Sequence, residues 1–417
     1  RRRHTRLRTV TGVQTCALPI LIKWDPRSAN AHFIRAIALE GRGAGEEAMA
    51  STRKGLELMP TAVVGQTMMA RLYLSRGDAK GAIEFLGPLL KNEPRSALLH
   101  FLLGQAQLAA GNLPMAGEEF MTLAAAFPQS GELKLWLGRY YGAKGDAWQA
   151  RVAFTRALEL DPGSLPALNG LVSLELVAKK ADAVRALLEP RLEAAPKNEA
   201  LLFLAGSSYL TLGDVQRAEP LLRRVLELNP SNIDAYARLG TLYVSQKRLD
   251  EARAEFENIA RQQERPVAAR IFVGIILDMQ NRPDEARKQY EEALAMNPRA
   301  AVAANNLAMH HVRAGNLDGA LQLAQAAKAE LPDDARVSDT LGWIYYQKGM
   351  ATLAITALRQ SVEQNPKSAE SRYHLGLALL KNGDKREARQ SLEQALKLNG
   401  SFPDAAEARQ ALTKLKG

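Results

Sequence analysis

Between Leu201 and Leu228 apolar residues return every three or four positions in two runs, broken by Gly213-Asp214. That period lines one face of an α-helix, so the pattern predicts helix, turn, helix. A glycine at the break can take the left-handed conformation that closes a helix, and the acid after it can cap the next helix through its side-chain oxygen. The same break recurs as Gly77-Asp78, Gly111-Asn112, Gly145-Asp146, Gly315-Asn316 and Gly383-Asp384. Prolines give the period. Pro26, Pro60, Pro94, Pro128, Pro162, Pro196 and Pro230 stand 34 residues apart, and the series resumes in register at Pro298, Pro332 and Pro366, with Glu264 in the missing place. Proline cannot donate an interior helical hydrogen bond and disfavours helix in the residue before it, so each one closes a unit.

Counted from Ala29, eleven units of 34 residues run to Phe402. The eighth place is Ala or Gly in every unit except at Val172, and the twentieth is Ala except at Val184. Small residues at these two places let paired helices approach closely, where a bulky side chain would overpack the contact at a cost of about 1–3 kcal/mol. The repeat therefore predicts stacked helical hairpins, with Ala82, Ala116 and Ala150 at hairpin contacts and no β-sheet. The unit from Leu165 to Asn198 departs at Val172, Lys179 and Val184 and adds Pro166 and Pro190. A bend or looser packing is expected there.

These units resemble tetratricopeptide repeats over residues 29–402. The best matches surround Leu137, Gly138, Tyr141, Ala150, Phe154, Ala157 and Pro162, and Leu239, Gly240, Tyr243, Ala252 and Phe256. The resemblance implies an all-α fold, a right-handed superhelical solenoid of about eleven helical hairpins. Residues 403–417 read as a capping helix with a polar outer face, which a solenoid end requires. Residues 21–28 read as the remnant of a truncated repeat. Residues 1–20 read as a non-native or disordered leader, and Val10 to Ile20 resembles translated sequencing-adapter read-through.

Composition narrows the function by exclusion. The net charge is +10, but Arg1, Arg2, Arg3, Arg6 and Arg8 supply half of that excess. The other basic residues, such as Arg223, Arg224, Lys288 and Lys385, are interspersed with acids, so no nucleic acid partner is expected. The one cysteine, Cys16, excludes a disulfide framework or a cysteine-rich metal site. No apolar run reaches the ~18 residues of a membrane span. Gly41, Gly43 and Gly45 lack the preceding strand of a nucleotide loop. Adjacent helical residues point about 100° apart, so His310-His311 reads as structural or surface, not as a metal pair. Other histidines, among them His32, His100 and His374, are scattered, and the carboxylates are expected mainly on outer faces and turns. No catalytic residue, metal or cofactor is expected.

The surface of the array is what remains. In each first helix the fourth, seventh, eighth and eleventh places face the core. The second, fifth, sixth, ninth, twelfth and thirteenth lie opposite, and the family resemblance implies that they line a concave groove holding peptides or partner proteins. Candidate groove residues are Phe101, Arg139, Asn305, Asn306, Met309, Arg313, Asp339, Trp343, Tyr346, Tyr373 and Lys381. Aromatic residues and arginine concentrate binding energy at interfaces, and asparagine can bond an extended backbone. About half of the apolar members are expected to pack between neighbouring first helices instead. The family's clamp for chaperone tail carboxylates needs Asn at the ninth place, which is never Asn here.

Asn305-Asn306-Leu307-Ala308, Asp339-Thr340-Leu341-Gly342-Trp343 and Tyr373-His374-Leu375-Gly376, with Lys381, Gly383 and Asp384, resemble the C-terminal repeats of bacterial lipoproteins of the exosortase and PEP-CTERM sorting system. That resemblance implies a non-catalytic scaffold assisting exopolysaccharide-linked protein export, periplasmic or outer-membrane-associated. The alternative is a regulatory array belonging to a larger enzyme, such as a glycosyltransferase.

Overall fold

A computed structural model describes residues 25–415. The leader expected over 1–20, and residues 21–24 of the expected remnant, lie outside the described residues. Twenty-three α-helices and no strand occur among the described residues, from Ala29–Glu40 to Ala405–Lys414. The first twenty-two pair into eleven hairpins, numbered 1 to 11 in chain order. Hairpin 1 is Ala29–Glu40 with Gly45–Leu58, and hairpin 11 is Ala369–Asn382 with Lys385–Leu398. Glu264 does not disturb the register, since Leu249–Arg261 ends and Val267–Met279 begins around it. The chain forms two compact units, dividing at Glu189/Pro190. From Ala29–Glu40 to Leu165–Val177, and again from Glu199–Thr211 onward, the helices of a hairpin pack on each other and then on the first helix of the next hairpin.

The hairpin turn obeys one rule in all eleven hairpins. Its fifteenth place has a positive φ, supplied by Gly43, Gly77, Gly111, Gly145, Gly213, Gly315, Gly349 and Gly383, and by Lys179, Lys247 and Asn281 where glycine is lacking. At Gly77 the Asp78 amide donates to the Tyr73 carbonyl (2.9 Å) and the Gly77 amide to the Leu74 carbonyl (3.0 Å). These are the two bonds of a left-handed helix closure, and they satisfy carbonyls that the helix end would otherwise leave bare. Asp78 then accepts from the Gly81 amide at 2.8 Å and caps the second helix.

The close approach inside a hairpin has a specific partner. All eleven residues at the twentieth place, Val184 included, are fully buried. Opposite a glycine at the eighth place lies a large side chain sixteen residues later. A methyl group added at Gly138 would sit 2.5 Å from the Phe154 ring, and at Gly376 2.7 Å from Leu392. Phe154 also covers Gly170 of the next hairpin, again at 2.5 Å. Gly240 is the exception, with open space where a methyl would go.

Hairpin 5, Leu165–Val177 with Ala181–Ala194, contains the division between the units. Pro190 removes one helical bond there, yet Pro88 does the same at the equivalent place of Ala79–Asn92 in the middle of a unit. Proline alone is therefore not the cause. Glu175 departs from the expected outer placement: it is buried, and its Oε1 accepts from Arg151 Nε of the preceding hairpin at 2.6 Å.

The last helix covers the apolar end. Ala405, Ala408 and Ala411, together with Phe402, bury themselves against Leu392, Ala395 and Tyr373. Tyr373 is thereby corrected from groove to core: its ring lies 5.5 Å from Phe402, and its hydroxyl donates to Glu407 at 2.8 Å. Burial, with the charge of Glu407 beside it, pushes its phenol well above the usual range, so it stays a neutral donor.

Candidate functional site

Asp339, Trp343 and Tyr346 share one face of Ala335–Gln347, the first helix of hairpin 10, because they are spaced four and three residues apart. The first helix of hairpin 11, Ala369–Asn382, brings His374 and Lys381 to that face. The indole of Trp343 is stacked on both sides. Tyr346 lies 5.1 Å away at 21°, and His374 lies 4.3 Å away at 26°. His374 Nδ1 donates to Asp339 at 3.0 Å, which fixes that nitrogen as the protonated one because a carboxylate only accepts. Lys381 Nζ sits 4.8 Å from the Tyr346 ring centre and donates to the Tyr346 carbonyl at 3.1 Å. The result is a ladder, Lys381–Tyr346–Trp343–His374–Asp339. With both faces covered, half-buried Trp343 offers an edge and not a platform.

Asn305 and Asn306 belong to a different feature. They sit on Ala301–Arg313, the first helix of hairpin 9, and line a cavity of about 280 Å³ with an apolar wall that includes Ile275, Val302 and Val337. Its polar edge includes Asp278, Tyr290 and Arg336. Tyr290 Oη donates to Asp278 Oδ2 at 2.8 Å, and His310 Nε2 to Asp278 Oδ1 at 2.9 Å. Burial, reinforced by the charge of Asp278, raises the Tyr290 phenol far above its ordinary value, so it remains a donor. The Oδ1 of Asn305 is shut off from solvent without a hydrogen-bond partner. Met309 is half-buried on the same helix, and Arg313 is exposed at its end.

The adjacent histidines serve separate partners, since His311 Nδ1 accepts from Asn316 Nδ2 at 2.8 Å. Among the described residues no group of three or more His, Cys, Asp or Glu side chains is placed to hold a metal. Lys328 Nζ lies 2.7 Å from Ser338 Oγ, a spacing that in a hydrolase would activate the hydroxyl. Burial lowers the Lys328 ammonium, against the opposing pull of Asp333 and Asp334. Ser338, however, is fully buried and contacts the Asp334 carbonyl and Gln364, so the pair is structural.

In the first unit Phe101 and Arg139 flank Trp136. Phe101 meets the indole edge-on at 6.1 Å and 88°, and the Arg139 guanidinium lies 4.4 Å above it. Phe272 likewise packs between first helices, 5.2 Å from Tyr236 at 13°. The candidate residues thus fall into separate groups: the ladder, the cavity and the Trp136 cluster. Asp278 and His374 were missed in the sequence although they occupy the twelfth and sixth places, because their types signalled neither an anchor nor an amide.

Hairpins of this length, with Ala or Gly at the close contacts of ten of the eleven and a left-handed closure at every turn, define a class of helical repeat arrays. The chain belongs to the tetratricopeptide repeat family: models described as tetratricopeptide repeat match residues 67–131, 209–271, 274–335 and 340–406. No curated protein matches the chain. Among solved structures it is similar to one titled as the crystal structure of the APC/C hetero-tetramer Cut9-Hcn1, with 15% identity over 100% of this chain and 95% of that one and a TM-score of 0.47. It is also similar to Naa15/Naa10 bound to HypK, with 18% identity over 96% of this chain and 64% of that one and a TM-score of 0.39.

Proposed function

We propose that the chain is a protein-interaction scaffold, and that the first-helix face of hairpins 8 to 10 holds an extended peptide segment. The observation that carries this reading is the 280 Å³ cavity, whose apolar wall suits one side chain while Asn305 and Asn306 stand beside it to bond a backbone. The ladder next to it contributes Lys381 and the edge of Trp343. The partner is placed in exopolysaccharide-linked protein export, on the sequence resemblance of the last three repeats alone.

The test is an array of extended peptides probed with the purified protein. Asn306→Ala and Val302→Asp should each cut capture about tenfold or more while helical circular dichroism is retained. Unchanged capture by folded variants overturns the assignment of this face.

A further inference from the structure

The first unit carries a second surface of different chemistry. Its features are an apolar hollow and two charges of opposite sign. The hollow, about 250 Å³, opens between Ala97–Ala109 and Gly131–Lys144, the first helices of hairpins 3 and 4. Leu98, Phe101, Leu123, Phe127 and Leu133 form most of its wall, and Leu98 and Phe127 remain substantially exposed. Glu132 lies on its rim.

Glu132 and Arg139 are seven residues apart on one helix, which puts them on the same face with about 10.5 Å of rise between them. Both are exposed, and neither makes an ion pair among the described residues. The Arg139 guanidinium is laid over the half-buried Trp136 ring, which fixes its position at low entropic cost. As an acid in the first turn, Glu132 already favours the positive end of its own helix, and its carboxylate is left open to solvent. Glu132 thus stands on the rim of the hollow, Phe101 of its wall meets Trp136, and Arg139 lies over that indole about two turns further along the same helix.

We propose that this surface docks an extended peptide segment in which a basic residue and an acidic residue three positions apart bracket an apolar anchor next to the base. In the polyproline II conformation residues i and i+3 share a face and stand about 9.3 Å apart, which matches the two charges. A β-strand would place the same pair on opposite faces. The base meets Glu132, the anchor fills the hollow beside it, and the acid meets Arg139. This is independent of the cavity of hairpins 8 to 10, and its failure leaves that reading intact.

The test is a charge swap read by fluorescence polarisation, using three fluorescein-labelled peptides with the centres Lys-Leu-Ala-Glu, Glu-Leu-Ala-Glu and Lys-Leu-Ala-Lys. The native protein should prefer the mixed peptide by about two- to fivefold for each exposed pair gained. Glu132→Lys should shift the preference to the all-acidic peptide and Arg139→Glu to the all-basic one, with circular dichroism unchanged. Leu98→Asp should abolish binding of all three. Equal binding of the three peptides, preference for a helix-stapled version, or no binding to the folded native protein overturns the proposal.

Discussion

The indole of Trp343 lies against the imidazole of His374, ring centres 4.3 Å apart and planes inclined by 26°, although the two belong to successive hairpins. The contact joins neighbouring hairpins through their first helices, and the bond from His374 to Asp339 closes it from behind. Aromatic pairs of this kind contribute about 0.5–1.5 kcal/mol beyond their buried area. In a double-mutant cycle of Trp343→Ala and His374→Ala a coupling of about 1 kcal/mol is expected, read from hydrogen exchange along Ala369–Asn382. Additive effects would show that the rings merely lie near each other.

The left-handed turn residues give a cleaner stability test. Lys179 and Lys247 hold φ of 54° and 58°, where a side chain costs about 1 kcal/mol or more relative to glycine. Lys179→Gly and Lys247→Gly should therefore raise stability by about 1 kcal/mol each. Asn281, whose short amide tolerates this region, should gain less. Gly145→Ala should move the other way by a similar amount. Chemical denaturation of each variant decides, and a loss of stability in Lys247→Gly would mean that the lysine makes a compensating contact.

Much of this was legible because a repeat writes each rule eleven times. The turn at place fifteen was visible from Gly77, Gly111 and Gly145, and the close contacts from the alanines around Ala116. Asn305 and Asn306 stood out as paired amides. What one sequence does not carry is the pairing across hairpins. Nothing local distinguishes Tyr373, which the last helix buries, from Tyr346, which joins the ladder, because the difference comes from Phe402 and Glu407 about thirty residues away. Glu175 reads as a surface acid until Arg151 of the preceding hairpin is seen beside it.

The eighth place separates two glycines that the sequence makes equivalent. A methyl at Gly138 meets the Phe154 ring at 2.5 Å, whereas at Gly240 it meets open space. Gly138→Ala should cost about 1–3 kcal/mol through overpacking. Gly240→Ala should raise stability by up to about 1 kcal/mol, since alanine is the better helix former and nothing opposes it. Thermal unfolding of the two variants side by side is the measurement. Equal losses would show that the space beside Gly240 is closed in solution.

His100 makes stability depend on pH in the first unit. Partial burial works against its charged form, but the Pro94 carbonyl at Nε2 (3.1 Å) and the Glu119 carboxylate at Nδ1 (2.6 Å) together outweigh it. The net effect raises its pKa above the ordinary value of about 6.5. A raised folded pKa means that the native state binds the proton more tightly than the unfolded chain does. The stabilisation is then complete below about pH 6.5 and is lost as pH climbs through the raised value. His100→Gln removes the proton but keeps a polar side chain, so native and variant should differ more in thermal midpoint at pH 5.5 than at pH 8.5. Glu119→Gln should lower the His100 titration seen by NMR, because it removes the carboxylate, one of the two acceptors. A native His100 titrating at or below 6.5 would mean that burial outweighs both acceptors, and the difference between pH 5.5 and 8.5 would then vanish or reverse.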